Sequence, residues 1–165
     1  MRDGFDVLYR EQYAAVARFV RRQVGESTAE DVVASTFELA YAKLRDDHPH
    51  PVGWLFQTAR NLMKAELRRR ERERRALRDA NVLAVRDAGD DNIETVRALL
   101  EALPPRHREV LQLTYWDRLA ASDVGVVLGC SEQAVWKRIS RAKTALRSAW
   151  TSNGSTSWEE TLTDA

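Results

Sequence analysis

Residues 119–147, LAASDVGVVLGCSEQAVWKRISRAKTALR, set the reading of the whole chain. Ala121 to Leu128 is a short apolar-periodic segment, and Leu119, Val124, Val127 and Leu128 supply its apolar side. Gly129 permits a sharp reversal, because glycine enters the left-handed region without a Cβ penalty. Ser131 is a good N-cap for the next helix, its hydroxyl able to accept a backbone N–H of the first turn. From Glu132 to about Trp150 the apolar residues return at helical spacing: Val135, Ile139, Ala142 and Leu146. Gln133, Lys137, Ser140, Arg141 and Thr144 then fall on the opposite side. The pattern is helix, tight turn, helix.

Two readings of this pattern compete. One is an ordinary helical hairpin inside a bundle. The other is a helix-turn-helix whose second helix enters a major groove, where Lys and Arg reach guanine or phosphate. Lys137, Arg138, Arg141, Lys143 and Arg147 stand against Glu132 alone, and the cap, turn and outward basic set together favour the second.

Upstream, Leu103-Pro104-Pro105 stops a helix that starts at Ile93, and Arg106 to Trp116 forms another. Residues 76–92 lose periodicity and turn acidic at Asp79, Asp87, Asp90 and Asp91, as expected of a linker. Before it, three helices are expected. The first runs from about Phe5 to Val24, with Phe5, Leu8, Tyr9, Tyr13, Val16, Phe19 and Val20 recurring at three- and four-residue steps and Gly25 as its stop. The second opens at Thr28-Ala29-Glu30-Asp31, with Thr28 as cap. The loop Asp46-Asp47-His48-Pro49-His50-Pro51 closes it. A third, long helix starts near Val52 and ends near Arg75. Its Leu55, Thr58, Ala59 and Leu62 share an inward face, while Arg60, Lys64 and Arg68 sit at four-residue spacing beside Gln57 and Asn61. Arg69, Arg70, Arg72, Arg74 and Arg75 extend the charge, and Glu66, Glu71 and Glu73 absorb part of it. Such a stripe is either a solvated face or a track for a phosphate backbone.

The resulting fold class is all-α, with two small helical domains joined by a linker. The first covers 1–75, the linker 76–92, the helix-turn-helix domain 93–150, and a polar tail 151–165. Domains of about 60–75 residues bury only roughly 60% of their unfolded surface, so docking on a larger partner suits them.

Composition bounds the function. Of 165 residues 44% are hydrophobic and 31% charged, and the net charge is +1, so the basic residues are clumped rather than numerous. Cys130 is the single cysteine, which excludes an internal disulfide or a thiolate cluster and reads as a small buried apolar residue. No apolar run approaches the roughly 20 residues of a membrane span, and the N-terminus lacks a signal-peptide core, so the cytoplasm is the expected compartment. No phosphate loop, nucleophile motif or metal-binding histidine pair is present, so no cofactor and no enzymatic activity are expected. His48 and His50 read as loop residues and His107 as a surface residue. Trp54 and Trp116 fit cores.

The residues also resemble a known family. Ala29-Glu30-Asp31-Val32-Val33-Ala34-Ser35-Thr36-Phe37, Trp54-Leu55-Phe56-Gln57-Thr58-Ala59-Arg60-Asn61-Leu62 and Leu67-Arg68-Arg69-Arg70 resemble region two of bacterial sigma factors. Leu103-Pro104-Pro105-Arg106-His107-Arg108-Glu109-Val110-Leu111 and Ala134 to Leu146 resemble region four. Nothing resembles region three, so the plan is that of the extracytoplasmic-function (ECF) group, over residues 5–150.

The resemblance implies a transcription initiation factor working on core RNA polymerase. Asp31, Val32, Thr36 and Phe37 match the surface that docks on the beta-prime clamp helices. Gln57, Arg60, Asn61, Lys64 and Arg68 match the surface that reads and opens the minus-ten element, where a flipped base needs a protein pocket. Gln133, Trp136, Lys137, Ser140 and Arg141 would face the minus-thirty-five element, with the second domain on the beta flap. The linker would thread toward the active-site cleft and RNA exit channel. An anti-sigma factor is a common partner in this group, and no membrane insertion is implied. Three positions depart from the pattern: Ala34-Ser35 where Gln-Glu is common, Gly125 for a usual alanine at a cost of about 1 kcal/mol of helix propensity, and Trp136 where a basic residue is common. A free-standing helix-turn-helix regulator and an inactive sigma-like interaction protein are the alternatives.

Overall fold

A computed structural model of the chain describes residues 3–77 and 91–152. The helices are α1 (Asp3–Val24), α2 (Glu26–Lys43), α3 (Pro51–Leu77), α4 (Asp91–Ala102), α5 (Pro105–Leu111), α6 (Ala121–Leu128) and α7 (Glu132–Ser152), and no strand occurs among the described residues. The all-α expectation holds. Contacts divide the chain into two units: Met1–Leu83 with Ser122–Ser131, and Ala84–Ala121 with Glu132–Ala165. Most of the expected linker and the tail beyond Ser152 lie outside the described residues.

In the first unit α1, α2 and α3 pack pairwise. The α1–α2 reversal is tighter than the sequence suggests. Gly25 takes φ 80°, so α2 begins at Glu26 rather than at Thr28 and carries no side-chain cap. That leaves the Thr28 hydroxyl for another partner, Arg70 of α3. Pro51 opens α3, where its missing N–H costs nothing and its fixed φ suits the first turn. The inward face of α3 is rotated from the expected one: Leu55, Phe56, Ala59 and Met63 are buried, whereas Thr58 and Leu62 are half-buried. Phe56 meets Phe19 of α1 with ring centroids 5.1 Å apart, and Val16, Val20, Val33 and Ala40 complete the core.

In the second unit α5 packs on α7 and α4 on both. Leu99, Leu100, Leu103, Val110, Leu111, Leu113, Val135, Ile139 and Ala142 are buried. Arg108 closes the end of α4: its guanidinium donates to the carbonyls of Leu100 at 3.0 Å, Glu101 at 2.9 Å and Leu103 at 3.2 Å. These are carbonyls that a helix end leaves without an intrahelical donor. The expected single helix from Arg106 to Trp116 is in fact two segments. After Leu111 the chain widens into a π-helical turn, Gln112–Trp116. The Asp117 N–H reaches back five residues to Gln112, and the Leu119 N–H six to Leu113. Arg118 holds φ 52°, the left-handed position that ends helices. Consequently Trp116, expected in a core, is 51% exposed.

Candidate nucleic-acid interface

On α7 the residues divide as their spacing requires. Val135, Ile139 and Ala142 are buried, and Gln133, Trp136, Lys137, Ser140, Arg141 and Thr144 lie toward solvent. Positions 133, 136, 137, 140, 141 and 144 lie along one side of a helix, because three- and four-residue steps return to the same face. Trp136 is 56% exposed, far more than packing within the unit would leave an indole. Lys143, on the flank, lies over the Tyr115 ring at 5.2 Å, so the π-helical turn supplies an aromatic seat for one of the basic residues. Gly129, in the other unit, has φ 66°, the conformation expected of the turn before α7. Cys130 is half-buried rather than buried.

On α3 the arginine-rich stretch sorts into two classes. Arg69 pairs with Glu66 and Glu73, Arg70 with Glu66, and Arg74 and Arg75 with Glu71. The Arg69 guanidinium, then that of Arg70, holds the Glu66 carboxyl down to about 2 against the opposing effect of desolvation. Arg70 is further committed to the Val24 carbonyl, 3.2 Å away, and to Thr28. Lys64, Arg68 and Arg72 remain, exposed at four-residue spacing, with no ion-pair partner among the described residues. That row advances about 6 Å per step at helical rise, so its cations lie in line along one side of α3.

The other expected residues of α3 are placed unequally. Asn61 is exposed and Arg60 half-buried. Gln57 is half-buried, and its amide donates to the Val126 carbonyl at 2.8 Å. His48 Nδ1 accepts the His50 N–H at 3.0 Å, and no group of three or more potential metal ligands occurs among the described residues.

The expected docking set on α2 is placed unequally. Val32 and Phe37 are 7% and 4% exposed and Thr36 is fully buried, its hydroxyl donating to the Val32 carbonyl at 2.7 Å. These side chains point inward because α2 packs against two helices, not one. Asp31 alone of the four is exposed. What the sequence reading missed is an aromatic groove beside it, about 430 Å³, lined by Phe5, Tyr9, Tyr13, Phe37 and Tyr41 with Glu38 at its edge. Tyr9 and Tyr13 belong to the apolar stripe of α1, yet both are 41% exposed. Their spacing signals the stripe; only the fold shows that both rings stay part-exposed beside Phe37 of α2.

Two family models match the chain: Sigma-70 region 2 over residues 8–73 and Sigma-70 region 4 over residues 93–146. The ECF RNA polymerase sigma factor SigL of Mycobacterium tuberculosis is 30% identical over 162 residues, covering 85% of each chain. The chain belongs to the ECF sigma factor family. A probable RNA polymerase sigma factor, RfaY of Xanthomonas campestris, is 35% identical over 147 residues; the match takes in 81% of this chain but 36% of RfaY's length. Among solved structures, the sigma factor RpoE in complex with the anti-sigma factor NepR from Bartonella quintana shares the fold, with TM-score 0.67, 23% identity and coverage of 92% and 98%. CnrH, solved with the cytosolic domain of CnrY, gives TM-score 0.62 at 27% identity, covering 90% of this chain and 88% of CnrH. In this sigma factor α3 thus lies in region 2, and α6 and α7 in region 4. No described helix is long and apolar enough to cross a membrane.

Proposed function

We propose that this sigma factor binds core RNA polymerase and gives it promoter selectivity through two separate helix surfaces. The observation that carries the reading is the outward row Gln133, Trp136, Lys137, Ser140 and Arg141 on α7, backed by the buried Val135, Ile139 and Ala142. This row reads the minus-thirty-five element in the major groove, with Lys137 and Arg141 offering donors to guanine or phosphate. The indole of Trp136 packs on a thymine methyl or a sugar. On α3, Gln57, Arg60, Asn61, Lys64 and Arg68 serve the minus-ten element, the cations tracking the backbone while Asn61 reads an extruded base.

Docking on the polymerase clamp uses the outer side of α2. Asp31 touches the partner directly, and Val32, Thr36 and Phe37 act from beneath by fixing the helix. The functional domains follow the boundaries 1–75 and 93–150, joined by 76–92 and followed by a tail from 151. The bond-making chemistry belongs to the polymerase, so this chain is no enzyme, and it works in the cytoplasm. An anti-sigma factor controls it, a reading supported by the structural relative solved with the anti-sigma factor NepR.

Transcription with purified core polymerase on genomic templates tests the proposal. Promoter-dependent transcripts that start at shared elements are expected. A chain that binds duplex DNA tightly and as a dimer without polymerase would instead be a free-standing regulator.

A further inference from the structure

Lys143 is held differently from the paired arginines of α3. Arg69, Arg70, Arg74 and Arg75 are fixed by carboxylates, which cancel the charge they position. Lys143 has no ion pair or hydrogen bond among the described residues. Its ammonium lies instead over the Tyr115 ring, 5.2 Å from the centroid. A ring quadrupole attracts a cation without neutralising it, so the side chain is oriented with its charge intact. The turn that carries the ring is itself fixed. Leu113 is buried, the Thr114 hydroxyl donates to the Val110 carbonyl at 2.7 Å, and the Asp117 N–H donates to the Gln112 carbonyl at 3.0 Å. Tyr115 and Lys143 are both exposed, so the pair stands at the surface.

Helical register places this pair on a flank of α7. Lys143 precedes Thr144 of the outward row by one residue, about 100° round the helix. It falls in line with Trp136, Ser140 and Arg147 at three- and four-residue steps, and all four are exposed. The opposite flank, Ala134, Arg138 and Ala145, is half-buried. A helix about 10–12 Å across fills a major groove about 12 Å wide. When the outward row meets base edges, the exposed flank therefore meets a wall of the groove, and that wall is a phosphate backbone. A lysine must give up rotamer freedom to engage a phosphate. One already resting on a ring has given up part of it before binding.

We infer that Lys143 is a phosphate contact of the minus-thirty-five segment and that Tyr115 is the positioning residue that holds it there. This rests on the promoter reading, and it adds two residues outside the row that faces the bases. Lys143 supplies charge and no sequence information. Tyr115 supplies neither; it acts only through Lys143.

The test uses holoenzyme assembled from the full chain and core polymerase, titrated at several salt concentrations on a promoter mapped from its own transcripts. Lys143→Ala should lower the slope of log affinity against log salt by about one and weaken wild-type and minus-thirty-five-mutated promoters alike. Tyr115→Leu, which keeps an apolar side chain but removes the ring, should weaken binding about two- to fivefold. Tyr115→Phe should bind as the parent does. In the Lys143→Ala background, Tyr115→Leu should have no further effect, whereas a purely structural role for the ring would give the same loss in both backgrounds. Neutral methylphosphonates placed one at a time along the minus-thirty-five segment should reveal a position at which parent and Lys143→Ala bind equally. A parental salt slope in Lys143→Ala overturns the contact, and an equal effect of Tyr115→Leu with and without Lys143 overturns the positioning role. Either result with a parent that binds its promoter leaves the promoter reading standing; a parent holoenzyme that shows no promoter preference sinks both.

Discussion

Arg70 reaches from α3 to Thr28, donating to its hydroxyl and, through its other terminal nitrogen, to the Val24 carbonyl 3.2 Å away. One guanidinium thereby joins the end of α1, the start of α2 and the middle of α3. Its Nε also meets Glu66 at 3.0 Å, which fixes the approach. Arg70→Ala should lower the stability of the first unit by about 1–3 kcal/mol, the range for charge-assisted hydrogen bonds that leave partners unpaired. Arg70→Lys should restore little of it, because an ammonium lacks the planar fork. Urea denaturation of the purified chain measures both. A DNA-contact role for Arg70 would appear as unchanged stability with weakened promoter binding.

The exposed row on α3 should behave in the opposite way. Arg68→Ala and Arg72→Ala should leave the denaturation midpoint within about 0.5 kcal/mol, as surface changes do. Each should reduce the salt dependence of promoter binding by holoenzyme by about one counterion. Arg141→Ala on α7 should cost about 1–3 kcal/mol of binding and relax selectivity at a single minus-thirty-five position. Titrations at several salt concentrations against wild-type and mutated promoters separate the two signatures.

Asp31 and Phe37 should also part company. Phe37→Ala removes a buried ring and should cost about 3–5 kcal/mol of stability. Asp31→Ala should cost almost none and instead weaken capture by core polymerase. Co-purification at matched folded concentrations gives the second readout; equal capture by the parent and Asp31→Ala would remove Asp31 from the docking surface.

The acid limb of stability should carry the mark of Glu66. Its carboxyl is held at about 2 by Arg69 and Arg70, below the 4.5 of an unperturbed glutamate. The unfolded chain therefore binds more protons between those values, so stability rises with pH across that window. The contribution is complete above about pH 4.5 and is lost as pH falls toward 2. Glu66→Gln should flatten this part of the helical signal against pH while leaving the neutral-pH arm nearly parallel to the parent. A parent and variant with superimposable acid transitions would show that the ion pairs on α3 are dispersed in solution.

Local pattern made the helices legible. Val135, Ile139 and Ala142 announced the buried side of α7, and with it the outward Gln133, Lys137, Ser140 and Arg141. Gly25 and Pro51 marked two boundaries through their backbone preferences alone. Local pattern stopped informing where tertiary packing decides. Val32, Thr36 and Phe37 occur in a motif that resembles a docking surface, but two neighbouring helices bury them. The arginines of α3 look alike in sequence; which ones are spent on Glu66, Glu71 and Glu73 depends on rotamers and exposure. The pairing of Gly53 with Asp123 spans 70 residues and leaves no periodic trace.

The widened turn at Gln112–Trp116 holds one residue more than an α-helical turn would. It is slack in the thread: the chain can lose a single residue there and still close an ordinary helix of the same number of turns. Such a deletion would leave the downstream residues in phase and displace only the residues of the turn itself, the Tyr115 ring under Lys143 among them. A segment of this kind tolerates shortening in its backbone while registering it at once in the aromatic face it displays.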